Sequence, residues 1–228
     1  MRSLTILILS ILVLQLSQAQ INEIGVYAGG SNFIGDVGAT NYISPNQLAF
    51  GALYKWNRSK RHSYRVSVIF SELEGIDINS DDPRRVQRGY SFSSKIMEIS
   101  AGVEFTFMDF DLHAYETIGT PYLYSGITVA NHDNHYFSGG VQTPENTDSW
   151  AFGIPMALGF KTNFLGNIIF GVEVGARLTF SDELDGSVPS NPSLQSFRFG
   201  NINNYDWYVF SGITLTYTFG ENPCYCIN

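Results

Sequence analysis

Cysteine is almost missing from this chain of 228 residues: the two present, Cys224 and Cys226, sit at its very end. No disulfide framework can therefore staple the fold. Charge is scarce as well, at 15% of residues against the roughly 25% of an ordinary soluble domain. What charge there is leans acidic, with 13 Lys+Arg against 21 Asp+Glu and a formal net charge of −8. No basic stripe exists to release counterions from a phosphate backbone, which excludes nucleic acid as a partner. Long apolar runs are missing beyond the first residues; even Ile168-Ile169-Phe170 is broken by Gly171. A spanning helix needs about 20 apolar residues, so no transmembrane helix is expected after the leader. Aromatics at 14% argue equally against disorder.

The leader is the one apolar run. Met1-Arg2 is a short cationic start, Leu4 to Leu16 an apolar stretch, and Ser17-Gln18-Ala19 a small-x-small cleavage signal. Residues 1–19 read as a signal peptide, with the mature chain starting at Gln20.

The remainder alternates. From Trp150 to Lys161, bulky apolar residues (Trp150, Phe152, Ile154, Met156, Leu158, Phe160) occupy one phase, with mostly small ones and Lys161 in the other. A period of two belongs to a two-faced strand and not to a helix. The same template places strands at 22–34, 47–57, 62–72, 97–107, 120–130, 150–161, 168–180 and 205–219. Between 120 and 130 the facing is ambiguous, because Tyr122 and Tyr124 compete with Leu123 and Ile127. The connections alternate too: 35–46, 73–93, 131–148 and 182–204 are long and polar, whereas 58–61, 108–119 and 163–167 are shorter. In a meander these two sets lie at opposite ends, the asymmetry of an outer-membrane barrel with long external loops and short periplasmic turns. The expected fold is all-β: an eight-stranded antiparallel up-and-down transmembrane β-barrel over residues 20–219, with a periplasmic C-terminal tail at 220–228.

A soluble barrel with its apolar face inward would alternate in the same way. The contents of the faces decide between them. One face is bulky and charge-free; the other is Gly, Ala, Ser and Thr with isolated charges, unlike a solvated surface rich in Lys and Glu. The interior set is Lys55, Arg65, Glu98, Glu104, Lys161, Glu173 and Arg177, expected to be a structural salt-bridge network, since unpaired buried charge costs several kcal/mol. Eight strands enclose room only for their own side chains, so this network is read as a plug and not as an acid/base site. Tyr54, Trp56, Trp150, Trp207, Tyr217 and Phe219 suit the aromatic girdles at the two interfaces.

No catalytic motif is recognisable, and neither enzyme activity nor a cofactor is expected. His132 and His135 fall in the 131–148 connection at a spacing compatible with a metal, yet read as surface residues of a polar loop. Cys224 and Cys226 leave two readings open, a local disulfide or pairing with a partner's thiol. Arg58, Lys60 and Arg61 concentrate positive charge at one periplasmic turn, suited either to anionic headgroups or to an acidic partner surface. Arg84, Arg85 and Arg88 beside Asp81 and Asp82 read as a solvated mixed patch.

Several stretches together resemble the PorG-like outer-membrane component of the type IX protein secretion and gliding machinery. They are Glu23-Ile24-Gly25 through Ile34-Gly35-Asp36, Glu98 to Phe107, Thr120 to Ile127, Ile154 to Lys161, Phe170 to Asp185 and Asn204 to Phe219. Gly212 to Phe219 also resembles the C-terminal signal read by barrel-assembly machinery. The resemblance implies a non-enzymatic barrel in the cell outer membrane, surrounded by its lipids and docking a periplasmic ring-forming lipoprotein and that lipoprotein's partner subunit. Contact residues would then lie at the periplasmic end, at Arg58, Lys60, Arg61, Asp109, Asp111, Cys224 and Cys226. The alternative is a surface barrel whose long loops bind an external ligand or cell surface.

Overall fold

The computed structural model describes residues 21–112, 116–201 and 204–220, with the backbone alone at 164 and 165. The expected leader, and the tail carrying Cys224 and Cys226, lie outside the described residues. Eight strands follow one another: β1 (Ile21–Ile34), β2 (Gln47–Asn57), β3 (His62–Ile76), β4 (Ser91–Thr106), β5 (Gly119–Ser138), β6 (Val141–Leu165), β7 (Ile168–Thr179) and β8 (Trp207–Phe219). Each pairs antiparallel with the next, and β8 returns to β1 in register from Asn22↔Phe219 to Ile34↔Trp207, closing the barrel.

The strand template holds through the membrane and fails above it. β5 and β6 are far longer than expected, at 20 and 25 residues. The polar stretch 131–148, read as a loop, is instead a continuing hairpin in which Ser138 pairs with Val141. Its turn is Gly139-Gly140, both at positive φ (61° and 87°), the backbone a tight two-residue hairpin turn demands. Outside the bilayer a strand needs no bulky outward face, so Asn131 to Asn134 alternate without an apolar signal. The other external connections, 35–46, 77–90 and 180–206, stay long.

Inside and outside follow the alternation. Ile24, Val26, Phe50, Val66, Ile127, Phe152, Leu158, Val172 and Leu215 point outward and are exposed, forming an apolar belt that only hydrocarbon can cover without cost. Tyr54, Trp150, Tyr217 and Phe219 are exposed at its edges. The ambiguity at 120–130 resolves cleanly: Tyr122 and Tyr124 turn inward and are buried, while Leu123 and Ile127 face out.

The interior has two storeys. Toward the periplasm it is charged. Toward the outside it is an apolar core in which Tyr27, Phe33, Leu53, Ile69, Leu73, Phe92, Ile96, Tyr208 and Phe210 are packed together with Val37 and Leu184 from the external loops.

Candidate functional site

All seven expected interior charges are buried, with Glu98 and Arg177 level with Ile69 and Tyr208 where the two storeys meet, and the structure adds an eighth, Glu23, which is fully buried. Glu23 lies two residues into β1, in phase with inward Gly25 and Tyr27, so the alternation carries a signal for it. Four cations thus meet four carboxylates. Glu104 sits between Lys55 Nζ at 2.8 Å and Lys161 Nζ at 2.7 Å. Arg65 grips Glu173 with both terminal nitrogens, at 2.6 and 2.9 Å. Arg177 donates through Nε and Nη2 to Glu98, at 3.1 to 3.2 Å. Hydroxyls add donors to three of the carboxylates: Tyr122 donates to Glu173 at 2.7 Å, Tyr208 to Glu98 at 2.6 Å and Thr216 to Glu23 at 2.8 Å. The Arg65 and Arg177 guanidinium groups also lie over the Tyr124 and Phe210 rings, at 4.8 and 4.6 Å. Buried charges are tolerated only when paired and hydrogen-bonded in this way.

Both mouths are filled. At the periplasmic end Phe110, 4% exposed, sits beneath Lys161 Nζ with 4.8 Å between ammonium and ring centroid. Its backbone N–H donates to the Lys60 carbonyl at 3.0 Å. Lys60 further pairs with Asp111 at 2.8 Å, and Arg61 with Asp109. Four of the seven expected contact residues are therefore brought together, but as ion pairs bracing one periplasmic connection against the next. The positive charge of Lys60 and Arg61 is thus matched within the chain by Asp111 and Asp109.

At the outer mouth Leu184, fully buried, plugs the apolar storey. Aspartates organise the loops around it by accepting backbone N–H groups. Asp185 Oδ2 receives Asp36 N at 2.8 Å and Val37 N at 3.0 Å, and Asp206 Oδ2 receives Leu184 N at 3.0 Å. Asp77 takes Gly38 N and Tyr90 N, both at 2.9 Å, together with a two-pronged contact from Arg88 at 2.7 and 2.8 Å. Burial pushes the Asp77 carboxyl up, but Arg88 and the two amides more than offset it and hold it below the usual range. The opposite holds for Asp182 and Asp206, which no ion pair reaches among the described residues. Burial and the nearby Asp185 and Asp36 push Asp182 up to about 7, and burial with Asp185 and Asp182 raises Asp206 well above the usual range.

Two expectations fail here. Arg88 and Arg85 are not part of a solvated patch. Asp82 caps a short helix, α1 (Pro83–Arg88), that aims Arg88 at Asp77 and Arg85 at the Gly38 carbonyl, 2.7 Å away, leaving Arg84 exposed. Nor are His132 and His135 surface residues, being only 2% and 3% exposed inside the β5–β6 extension, with His135 stacked on Phe92. Among the described residues no group of three or more His, Cys, Asp or Glu is arranged to hold a metal ion.

A closed barrel, charged and plugged within and apolar around its girth, is an outer-membrane β-barrel protein, and the outer membrane is where it resides. The chain belongs to the family described as a domain of unknown function (DUF6089), whose model matches residues 2–228. No curated protein matches its sequence. Solved structures similar to it include Ail, the attachment invasion locus protein of Yersinia pestis (11% identity, 88% of this chain and 99% of that one, TM-score 0.48). Others are the N-terminal β-barrel domain of Pseudomonas aeruginosa OprF (10%, 89% and 98%, TM-score 0.43) and a major outer membrane protein of Thermus thermophilus (12%, 88% and 100%, TM-score 0.41).

Proposed function

We propose that this barrel conducts nothing and catalyses nothing, and serves as an accessory, anchoring component of a type IX secretion and gliding apparatus. In this reading it docks the periplasmic lipoprotein ring and the ring's partner subunit from below. The observation that carries the reading is the periplasmic end. Residues 107–112 are held to turn 58–61 by the Lys60–Asp111 and Arg61–Asp109 pairs, and Phe110 is seated in the mouth. Such bracing fixes a surface in advance of binding and so lowers the ordering cost of docking. Exposed Phe107 and Met108 on the same connection supply the apolar contact that a protein interface needs.

The test is co-purification from native membranes after cross-linking. Exchanging both pairs, Lys60→Asp with Asp111→Lys and Arg61→Asp with Asp109→Arg, keeps the braces and inverts the charge pattern. Recovery of ring subunits should fall while the barrel still shifts on heating in gels. If the wild type recovers no ring subunits, the reading is wrong.

The second reading, an external ligand held by the loops, draws on exposed Ile78, Val141 and Phe197 in the outer cap. Shortening the 139–140 hairpin tip and the 192–197 turn would abolish adhesion under that reading and leave secretion intact.

A further inference from the structure

One external connection does not stay outside. After Gly38 the chain turns back, and residues 41–46 descend along the outer wall of β1. Asn32 points outward there yet is only 3% exposed. Its Nδ2 donates to the Asn41 carbonyl at 2.9 Å, and its Oδ1 accepts from Ser44 N at 3.3 Å, so the side-chain amide substitutes for a strand partner. Two residues back along β1, Gly30 lies against the same segment; a Cβ there would meet Pro45 at 2.7 Å, a contact only glycine avoids.

This strap carries Tyr42 and Ile43, 79% and 62% exposed. Both line an apolar cleft of about 510 Å³, with Met156, Leu158, Ala176 and Val209 on the outer wall of β6 to β8. Val209 faces outward between inward Tyr208 and Phe210, yet it is only 3% exposed. A stretch of wall that should meet lipid is roofed by the chain's own loop. Two large apolar side chains left open to water would be costly, and hydrocarbon covers them without that cost.

We propose that the strap lies in the outer leaflet and that the cleft beneath Tyr42 and Ile43 binds one acyl chain of an outer-leaflet lipid. The occupant follows from continuity: the cleft opens directly into the lipid-facing belt, and among the described residues no charged side chain lines it that would select a headgroup or a polar partner. Asn32 is the clasp. The proposal rests on the membrane placement of the barrel and is independent of any role in secretion.

The experiment uses the full chain in phosphatidylcholine vesicles, with Cys224→Ser and Cys226→Ser removing the native thiols and Ile43→Cys carrying an environment-sensitive fluorophore. Lipids brominated on the acyl chains should quench the label, and aqueous iodide should not. Adding Asn32→Ala should reverse that pattern while the barrel remains heat-modifiable. Iodide quenching without bromolipid quenching in the protein that keeps Asn32 overturns the strap's placement. For the cleft, protein extracted in mild detergent is assayed for retained lipid. Ala176→Trp, or Val209→Trp if the first fails to fold, should lose one tightly held lipid relative to the native wall. Equal retention overturns the acyl-chain site. So does a disulfide-linked dimer of the unlabelled Ile43→Cys protein in the membrane, which would make a second copy the occupant.

Discussion

Glu104 offers the sharpest test of the closed interior. It is fully buried and is the carboxylate nearest to both Lys55 and Lys161, at 2.8 and 2.7 Å, with Arg65 at 4.0 Å. Replacing it by Gln keeps the shape and removes the charge, leaving two lysines, 1% and 2% exposed, facing a neutral amide. Glu23 cannot substitute, because its nearest oxygen is 4.0 Å from Lys55 and is already engaged by Thr216. Removing one partner of a buried pair costs about 3–5 kcal/mol. With a urea slope of about 2 kcal/mol per M, Glu104→Gln should lower the unfolding midpoint by about 2 M, read as loss of the heat-shifted gel band or of near-ultraviolet ellipticity. Lys161→Met in the same chain should restore part of the loss by removing one stranded cation. Lys60→Ala is the control, since its pair with Asp111 is partly exposed to solvent and should contribute under about 1 kcal/mol. An unchanged midpoint for Glu104→Gln would mean that water already hydrates these charges, and the plugged lumen would have to be abandoned.

Three further outcomes concern the cap and the mouths. The aspartate cluster should make the cap pH-sensitive: carboxyls raised above their free value of 3.8 favour the folded cap below that value and lose this contribution as pH rises through about 7. Proteolysis within 180–206 should therefore be faster at about pH 8 than at about pH 5.5, and Asp182→Asn should flatten the difference. Leu184→Ala empties the fully buried plug and should cost about 2–5 kcal/mol, seen as faster cleavage of the loops with the barrel band intact. Planar bilayers holding the native protein should show no steady conductance, and open-channel current would contradict the packing of Phe110 and Leu184 at the two ends.

The membrane-embedded half of the molecule is legible because lipid imposes a period. Where the outer face is apolar and the inner one small, as in Ile168 to Leu178, the alternation locates the strand and its facing; at 120–130 the inward tyrosines blur it. Above the bilayer that pressure lapses, so β5 and β6 run on through His132 and His135 without a sequence signal, and only Gly139-Gly140 marks the hairpin end. The interior charges are readable as residue types on the small-residue face. Their partners are not, because pairs such as Arg65 with Glu173 join strands 108 positions apart through a closure that no local pattern encodes. Glu23 is readable by the same rule, in phase with inward Gly25 and Tyr27; its partner, Thr216 on the last strand, is not. The aspartates of the cap look like ordinary loop residues, since what distinguishes them is the set of backbone amides that the fold delivers to their carboxylates.

The pairing of β1 with β8 has a bearing on biogenesis. The seam joins β1, the first of the eight strands, to β8, the last; the Thr216 hydroxyl reaches Glu23 across 193 positions of chain. Loop-closure entropy makes so distant a contact slow to form, and until it forms Glu23 lacks one of its donors and both edge strands are open. A chain truncated at either end would thus remain visibly unfinished, with bare strand edges and stranded charge offered to periplasmic chaperones and proteases. The seam works as an end-to-end check on synthesis and export, completed only by a polypeptide that has arrived whole.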